Sequence, residues 1–568
     1  MRRLWRLWLP MLAIVVISIA AACGGDDDDD DAAAVPSGID AAQVLTVYLG
    51  GEPDTLDPQR ATDTVSIAVL RQIYSTLLSI NQELTVEADL AKEVPTVENG
   101  GISADGLTYT FKLRDGLTWS DGTPLKAQAF VDGAKRLFDP GSGNYYVDFY
   151  RVLAASGNNA AVEEALGEGV EGAELEALEN AVVANLEVSA PDDQTVVYRL
   201  NRRSPVFLLL TTMWPLYPVR LDVINQHGDQ WTEAGNLIAN GRFVLSEWNH
   251  DQSITLTRNE QFHGQKPILQ TINIGMESDS AIAFLAYGAN EYDITVLGPE
   301  ELVQVRGTDF EREFQKYPQL VTIGIYFNVE RGALTDVKVR QALAGAIDRD
   351  EYAEIVAEGA VLPAYSWVPP GMPGHDPETG LQYQNALERS KQLLEEAGYP
   401  DGSGLEFEIL SSDTSGGKRV SEWLQEQWES KLGATVSINL LEVATYFAER
   451  NSGNYEVVTG GWGADYPDPQ NWMPLFKTGG LLNSGNFSNA EFDALITAAD
   501  DELDNEKRIQ LYKDAQVIMI EEMPFAPLYY RRRNILVKPW VQGLVTSSME
   551  SNIPGDLFFG SVFIRGRN

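Results

Sequence analysis

Three neighbouring stretches decide the fold class: Leu405-Glu406-Phe407-Glu408-Ile409-Leu410, the segment 422–432 closed by Gly433, and Thr435-Val436-Ser437-Ile438-Asn439-Leu440. The outer two read as strands, and the middle one reads as a helix whose glycine stop suits a left-handed C′ residue. Outward from there the alternation continues. The spacing predicts helices over 387–397, with Gly398 behind it, and over 337–347, and a further strand over 455–459. Towards the N-terminus, strands are expected at 44–49, 109–113 and 254–257. Helical spacing covers 65–78, through Val65, Val69, Ile73 and Leu77, and 126–137. The strand at 109–113 leads to the turn cluster Ser120-Asp121-Gly122-Thr123-Pro124. An Ala/Glu-rich stretch, 160–185, reads as a surface helical insertion weakened by Gly167 and Gly169. Strands alternating with helices give an α/β protein with mixed sheets.

The 568 residues exceed the roughly 250–300 that one core can hold, so two or more lobes are expected. With 44% hydrophobic residues, the chain has the composition of a folded protein. Its formal charge of −41 would repel a phosphate backbone, which argues against nucleic-acid binding. A single cysteine, Cys23, rules out an internal disulfide and thiolate metal clusters.

That cysteine lies at the end of a secretory signal. Arg2, Arg3 and Arg6 precede an apolar run over 7–22, which is short for a membrane span. Ala20-Ala21-Ala22-Cys23 resembles a bacterial lipobox, with Ala20 where leucine is usual. The resemblance implies cleavage before Cys23 and its lipidation. Asp26 to Asp31 then form a self-repelling, extended tether.

Seven blocks in order resemble the extracellular solute-binding proteins of family 5, the oligopeptide- and dipeptide-binding proteins of ABC importers. Gly51-Glu52-Pro53-Asp54-Thr55-Leu56-Asp57-Pro58 is similar to the family's opening motif. Thr108 to Leu113 with Trp119-Ser120-Asp121-Gly122-Thr123-Pro124, Asn240-Gly241 with Trp248, and Asp336 through Arg349 follow. Leu362-Pro363-Ala364-Tyr365, Gly461-Trp462-Gly463-Ala464-Asp465-Tyr466 and Leu536-Val537-Lys538-Pro539-Trp540 complete the set. The resemblance implies a two-lobed, class II periplasmic-binding-protein-like α/β fold with an extra inserted α/β domain and a ligand cleft between the lobes. It divides the chain into a signal peptide (1–22), a lipidated acidic tether (23–40), lobe I (41–78, 216–322 and 529–568), an inserted domain II (79–215) and lobe III (323–528). The expected protein is a monomer held at the extracytoplasmic face of the membrane or in the periplasm, passing short peptides to an ABC permease.

By the same resemblance, Asp465 holds a ligand α-ammonium, which suits the need of a buried cation for a paired charge. The residue type alone also allows Asp465 to cap the turn at Tyr466-Pro467-Asp468-Pro469. Gly461, Trp462 and Gly463 would offer main-chain groups to an extended peptide. A second main-chain partner is expected near Ser66 and Ile67, and Tyr146, Trp367 and Tyr530 are candidate pocket walls. The chain departs from the best-known oligopeptide binders at Thr459, where they carry a basic residue for the ligand C-terminus, and at Gly463, where they carry a disulfide cysteine. The resemblance therefore carries over no fixed anchor for a peptide C-terminus.

No cofactor is implied. His227, His250, His263 and His375 have no metal-ligand spacing, and no phosphate loop or nucleophile elbow is present. Open alternatives are a sugar, oligosaccharide or metal-chelate binder on the same scaffold, and a lipoprotein sensing a signal peptide. A surface hydrolase is the remaining one, and it lacks the motifs of its chemistry.

Overall fold

The computed structural model describes residues 36–567 except 141–143, 145, 154–160, 163–164, 166–169, 171 and 481. The signal, Cys23 and the aspartate run lie outside the described residues. Everything below concerns the unit Gly38–Asn568.

One large mixed sheet organises this unit. Its strands run in the spatial order Thr435–Leu441, Glu406–Ser412, Val457–Gly463, Phe314–Phe327, Phe525–Val537, Ile294–Val296, Val44–Tyr48, Thr271–Gly275, Ser253–Arg258 and Phe243–Asn249. Val361–Pro363 pairs with Phe525–Val537 off this path. The stretches that decided the fold class behave as a parallel α/β unit. Glu406–Ser412 pairs in parallel with Thr435–Leu441, and the helix Ser415–Leu432 forms the crossover. That helix buries Leu424, Trp428 and Leu432, spaced by one turn each, and ends at Gly433 with φ of 75°. At the other end of the sheet, Val44–Tyr48 lies between two parallel neighbours, and its alternation leaves Leu45 and Val47 fully buried.

Two long antiparallel strands, Phe314–Phe327 and Phe525–Val537, join the two ends of the sheet. Their register shifts between Pro318 and Thr322: Pro318 faces Arg532 and Thr322 faces Tyr530. Gln319, Leu320 and Val321 therefore stand against Arg531 alone. Such a bulge bends a strand and re-aims its side chains. A separate three-stranded sheet, Thr108–Lys112, Thr195–Arg199 and Val188–Asp192, contributes Phe111 and Tyr198 to the N-terminal core.

Several expected elements differ in extent. The stretch expected to be helical over 160–185 has its helix at Ala173–Ala184, with 160, 163–164, 166–169 (Gly167 and Gly169 among them) and 171 outside the described residues, and the strand expected over 455–459 is Val457–Gly463. The helix expected over 65–78 is Thr64–Ile73, and Leu78–Ile80 is a strand. The stop is tertiary. The Gly241 N–H donates to Ile73 O (2.8 Å), and the Asn240 side chain brackets Ser75, accepting from its N–H (3.1 Å) and donating to its carbonyl (3.0 Å). A side chain at Gly241 would overlap the Ile73 backbone, so Asn240-Gly241 acts as a clamp. The helix expected over 422–432 begins seven residues earlier, at Ser415. The Thr414 hydroxyl caps it by accepting from Gly417 N–H (3.1 Å) despite two glycines in the first turn.

The other family-like blocks also tie the scaffold together. Asp57 forms a two-pronged ion pair with Arg136 (2.9 and 2.7 Å). Glu52 receives Trp248 Nε1 (2.9 Å) and faces His250 Nδ1 (2.8 Å). Asp121 and Gly122, with φ of 81° at the glycine, make the expected tight turn. Among the described residues no helix is long and apolar enough to cross a membrane.

Candidate functional site

A cavity of about 1630 Å³ opens along the C-terminal end of the strand Val457–Gly463. That strand pairs with Glu406–Ser412 only through Val457 and Val458, whereas its pairing with Phe314–Phe327 continues to Gly463. Among the described residues, 459–463 thus have a strand neighbour on one side only, and Gly460 to Asp465 line the cavity. An open strand edge is the standard template for adding an extended peptide. Gly461 is required by close approach, since a side chain there would overlap the Thr322 carbonyl and Ile323.

Asp465 sits half-buried on this wall, with both carboxylate oxygens held. Tyr146 Oη donates to Oδ1 (3.0 Å) and Asn471 Nδ2 donates to Oδ2 (3.0 Å). The same Asn471 accepts from Asp465 N–H (2.9 Å) and from Trp462 Nε1 (3.1 Å). Asn471 therefore fixes the two most prominent residues of the motif at once. Burial pushes the Asp465 carboxyl up to about 6, against the pull of the Asn471 and Tyr146 hydrogen bonds and of nearby Arg71. The capping role that the sequence left open belongs to Asp468 instead. Its carboxylate accepts from Gln470 N–H (3.0 Å) and is pinned by Arg508 (2.7 and 2.6 Å).

Of the residues singled out in the sequence, Asp465, Trp462, Gly461, Gly463, Ile67 and Tyr146 line one cavity. Tyr146 packs edge-on against Trp214 (4.8 Å between centroids) and reaches Asp465 from a segment 319 residues away. Ser66, Trp367 and Tyr530 do not line it. Ser66 is buried in the cap of its helix: its N–H donates to Asp63 Oδ1 (2.8 Å) and its hydroxyl to Asp63 Oδ2 (2.6 Å). The Ile67 N–H is likewise held by Asp63 O, so neither amide proton is open to a ligand. Trp367 is a core residue, with no exposed surface and its indole N–H on Trp472 O (3.2 Å). Tyr530 is buried against Ser366, its hydroxyl on the Ser366 carbonyl (3.0 Å). Thr459 also turns away from the cavity, with its hydroxyl on Ser411 Oγ (3.2 Å) and its carbonyl receiving Tyr446 Oη.

Sequence reasoning missed the helix Val443–Asn451. Its Val443, Tyr446, Phe447 and Arg450 face the cavity at helical spacing, and Val443 and Phe447 are 38% and 47% exposed. Those spacings were the available signal. Among the described residues Val443 and Phe447 are only partly covered, and they suit ligand side chains. Glu550 also lines the cavity. Burial and neighbouring Asp556 push its carboxyl up to about 7, while Tyr317 Oη donates to it. Among the described residues no group of three or more His, Cys, Asp or Glu could hold a metal ion.

The model of the bacterial extracellular solute-binding proteins, family 5 Middle, matches residues 85–483. The chain is 31% identical over 509 residues to the "Probable deoxycholate-binding periplasmic protein YgiS" of Escherichia coli, covering 88% of this chain and 90% of that one. It is 30% identical to the periplasmic murein peptide-binding protein MppA of the same organism, over 91% and 93% of the two chains. The solved structure of that murein tripeptide-binding protein superposes with a TM-score of 0.81 at 27% identity, covering 94% of this chain and all of the other. The class II periplasmic-binding-protein-like α/β fold expected from the sequence is thus the fold of this chain.

Proposed function

The chain belongs to family 5 of the bacterial extracellular solute-binding proteins, and on that premise we propose that it captures short peptides and delivers them to an ABC importer. The observation that carries this reading is Asp465. It is a carboxylate lifted by burial, oriented by Asn471, at the mouth of an open strand edge. A ligand ammonium supplies the charge this carboxylate lacks, and the edge at 460–463 supplies main-chain recognition that is tolerant of side chains. The relative named as a probable deoxycholate-binding protein marks the alternative class, since deoxycholate carries no ammonium. Lipidation at Cys23 would hold the protein at the membrane surface. The lobes, with the limits set out above, would close over the ligand by flexing the bulged strands Phe314–Phe327 and Phe525–Val537.

Native mass spectrometry of the protein purified without refolding tests the reading. Wild type is expected to carry a ladder of short peptide masses that Asp465→Ala loses. A bound sugar, bile acid or chelate, or no peptide taken up from an added mixture, would overturn it.

A further inference from the structure

We infer that Arg531 is the anion site of the cleft and that it takes a carboxylate of the bound peptide. The inference rests on the peptide-binding reading and deepens it: the ligand is recognised by opposite charges at two places, ammonium at Asp465 and carboxylate at Arg531.

The backbone accounts for the position. Arg531 is the single residue facing the three-residue bulge Gln319, Leu320 and Val321. All four line the cavity. The next residue, Tyr530, pairs with Thr322, and Thr322 pairs with Trp462 on the far side, so the bulge brings Arg531 onto the floor beside the ligand-facing motif. The strand around it is mostly buried: Leu528, Tyr530 and Arg533 have 0%, 6% and 8% exposure, while Arg531 is open to the cavity.

Its chemistry is unsatisfied. The other arginines of the cavity wall are engaged. Arg71 donates to Met549 O (3.2 Å) and pairs with Asp556 (3.4 Å). Arg151 pairs with Asp148 (2.6 Å), and Arg450 lies over the Tyr326 ring (5.0 Å). Among the described residues the Arg531 guanidinium has neither an ion-pair nor a hydrogen-bond partner. Although its surface is open to the cavity, the surrounding walls disfavour its charge by desolvation, and Arg533 adds to this against an opposing contribution from Tyr529. An incoming carboxylate relieves both and can bind the planar fork through two hydrogen bonds.

The carboxylate could be the peptide's C-terminus or an acidic side chain, and the test separates them. Wild type, Arg531→Gln and Arg531→Lys are each offered a random tripeptide library with free C-termini and the same library amidated, and the bound members are read by mass spectrometry. Wild type is expected to enrich free acids over amides by about tenfold or more, the worth of one charge-assisted hydrogen bond. R531Q should lose that preference and R531K keep part of it. Amides recovered only when they contain Asp or Glu would assign the site to side-chain carboxylates. Equal recovery of acids and neutral amides by wild type, or an undiminished preference in R531Q that melts like wild type, overturns the inference while leaving peptide binding intact. Failure of wild type to bind either library overturns the peptide reading and this inference with it.

Discussion

If Asp465 holds a ligand ammonium, as proposed, peptide affinity depends on pH with a sign that can be worked out in advance. Its carboxyl titrates near 6 in the unliganded protein, against an ordinary 3.8. An ammonium beside it favours the ionised form, so the complex holds its proton less tightly than the free protein. Binding therefore releases a proton below pH 6, and affinity falls as pH falls. With one group responsible, each pH unit below 6 lowers affinity about tenfold, until the carboxyl of the complex itself protonates. If the ammonium restores the ordinary value, the full effect is about two pKa units, or about 3 kcal/mol. Screening by solvent in the cleft makes this an upper bound. The stability of the unliganded fold moves the opposite way. A carboxyl raised above its unfolded value makes the folded state bind more protons between pH 3.8 and 6, so this group stabilises the empty protein as pH drops through that window. Isothermal titration with a free-amine tripeptide at pH 5.0 and 7.5 should show about a tenfold loss at the lower pH, with no loss of fold by circular dichroism. Glu550 titrates near 7 on the same cavity, so Asp465→Asn is the necessary control. It should weaken binding by about 2 kcal/mol or more and abolish the step near pH 6. Affinity that is flat from pH 5 to 7.5, or a step that survives in the asparagine variant, would refute the assignment.

The remaining predictions concern what holds the site. Asn471→Ala removes a hydrogen bond that lowers the Asp465 carboxyl, so the fall in affinity should begin at a higher pH than in wild type, and an unshifted midpoint would contradict its positioning role. Gly461→Ala forces a methyl into the Thr322 carbonyl and should destabilise the fold by about 1–3 kcal/mol in denaturant titration; wild-type stability would show that the strand has room. Asp468→Ala leaves Arg508 buried without its partner (2.6 Å in the intact pair) and should cost about 3–5 kcal/mol, whereas less than about 1 would mean that the pair is dispensable. Cys23→Ser should move the protein from the membrane fraction to the soluble one, and unchanged membrane association would remove the lipid-anchor proposal.

What was legible in the sequence followed the range of the forces involved. Strand and helix interiors are set by local alternation, and Val44–Tyr48, Thr108–Lys112 and Thr435–Leu441 stand within a residue or so of their expected places. The end of the helix Thr64–Ile73 was not legible, because the clamp that stops it comes from Asn240-Gly241, some 165 residues on. The site divides in the same way. Asp465, Trp462 and the glycines, which line the cavity, could be singled out because they lie together in one motif that resembles a known one. Trp367 and Tyr530 were misjudged as walls because an aromatic side chain serves a core and a pocket equally well. Arg531 was passed over for the complementary reason. In the run Arg531-Arg532-Arg533 nothing local distinguishes the first arginine from its neighbours. Only the pairing of two strands about 200 residues apart, with three residues opposed to one, turns Arg531 into the cavity while Arg533 is buried with its guanidinium on the Ser551 carbonyl. A bulge is a property of a strand pair, so a residue whose role depends on it becomes visible only when both strands are in place.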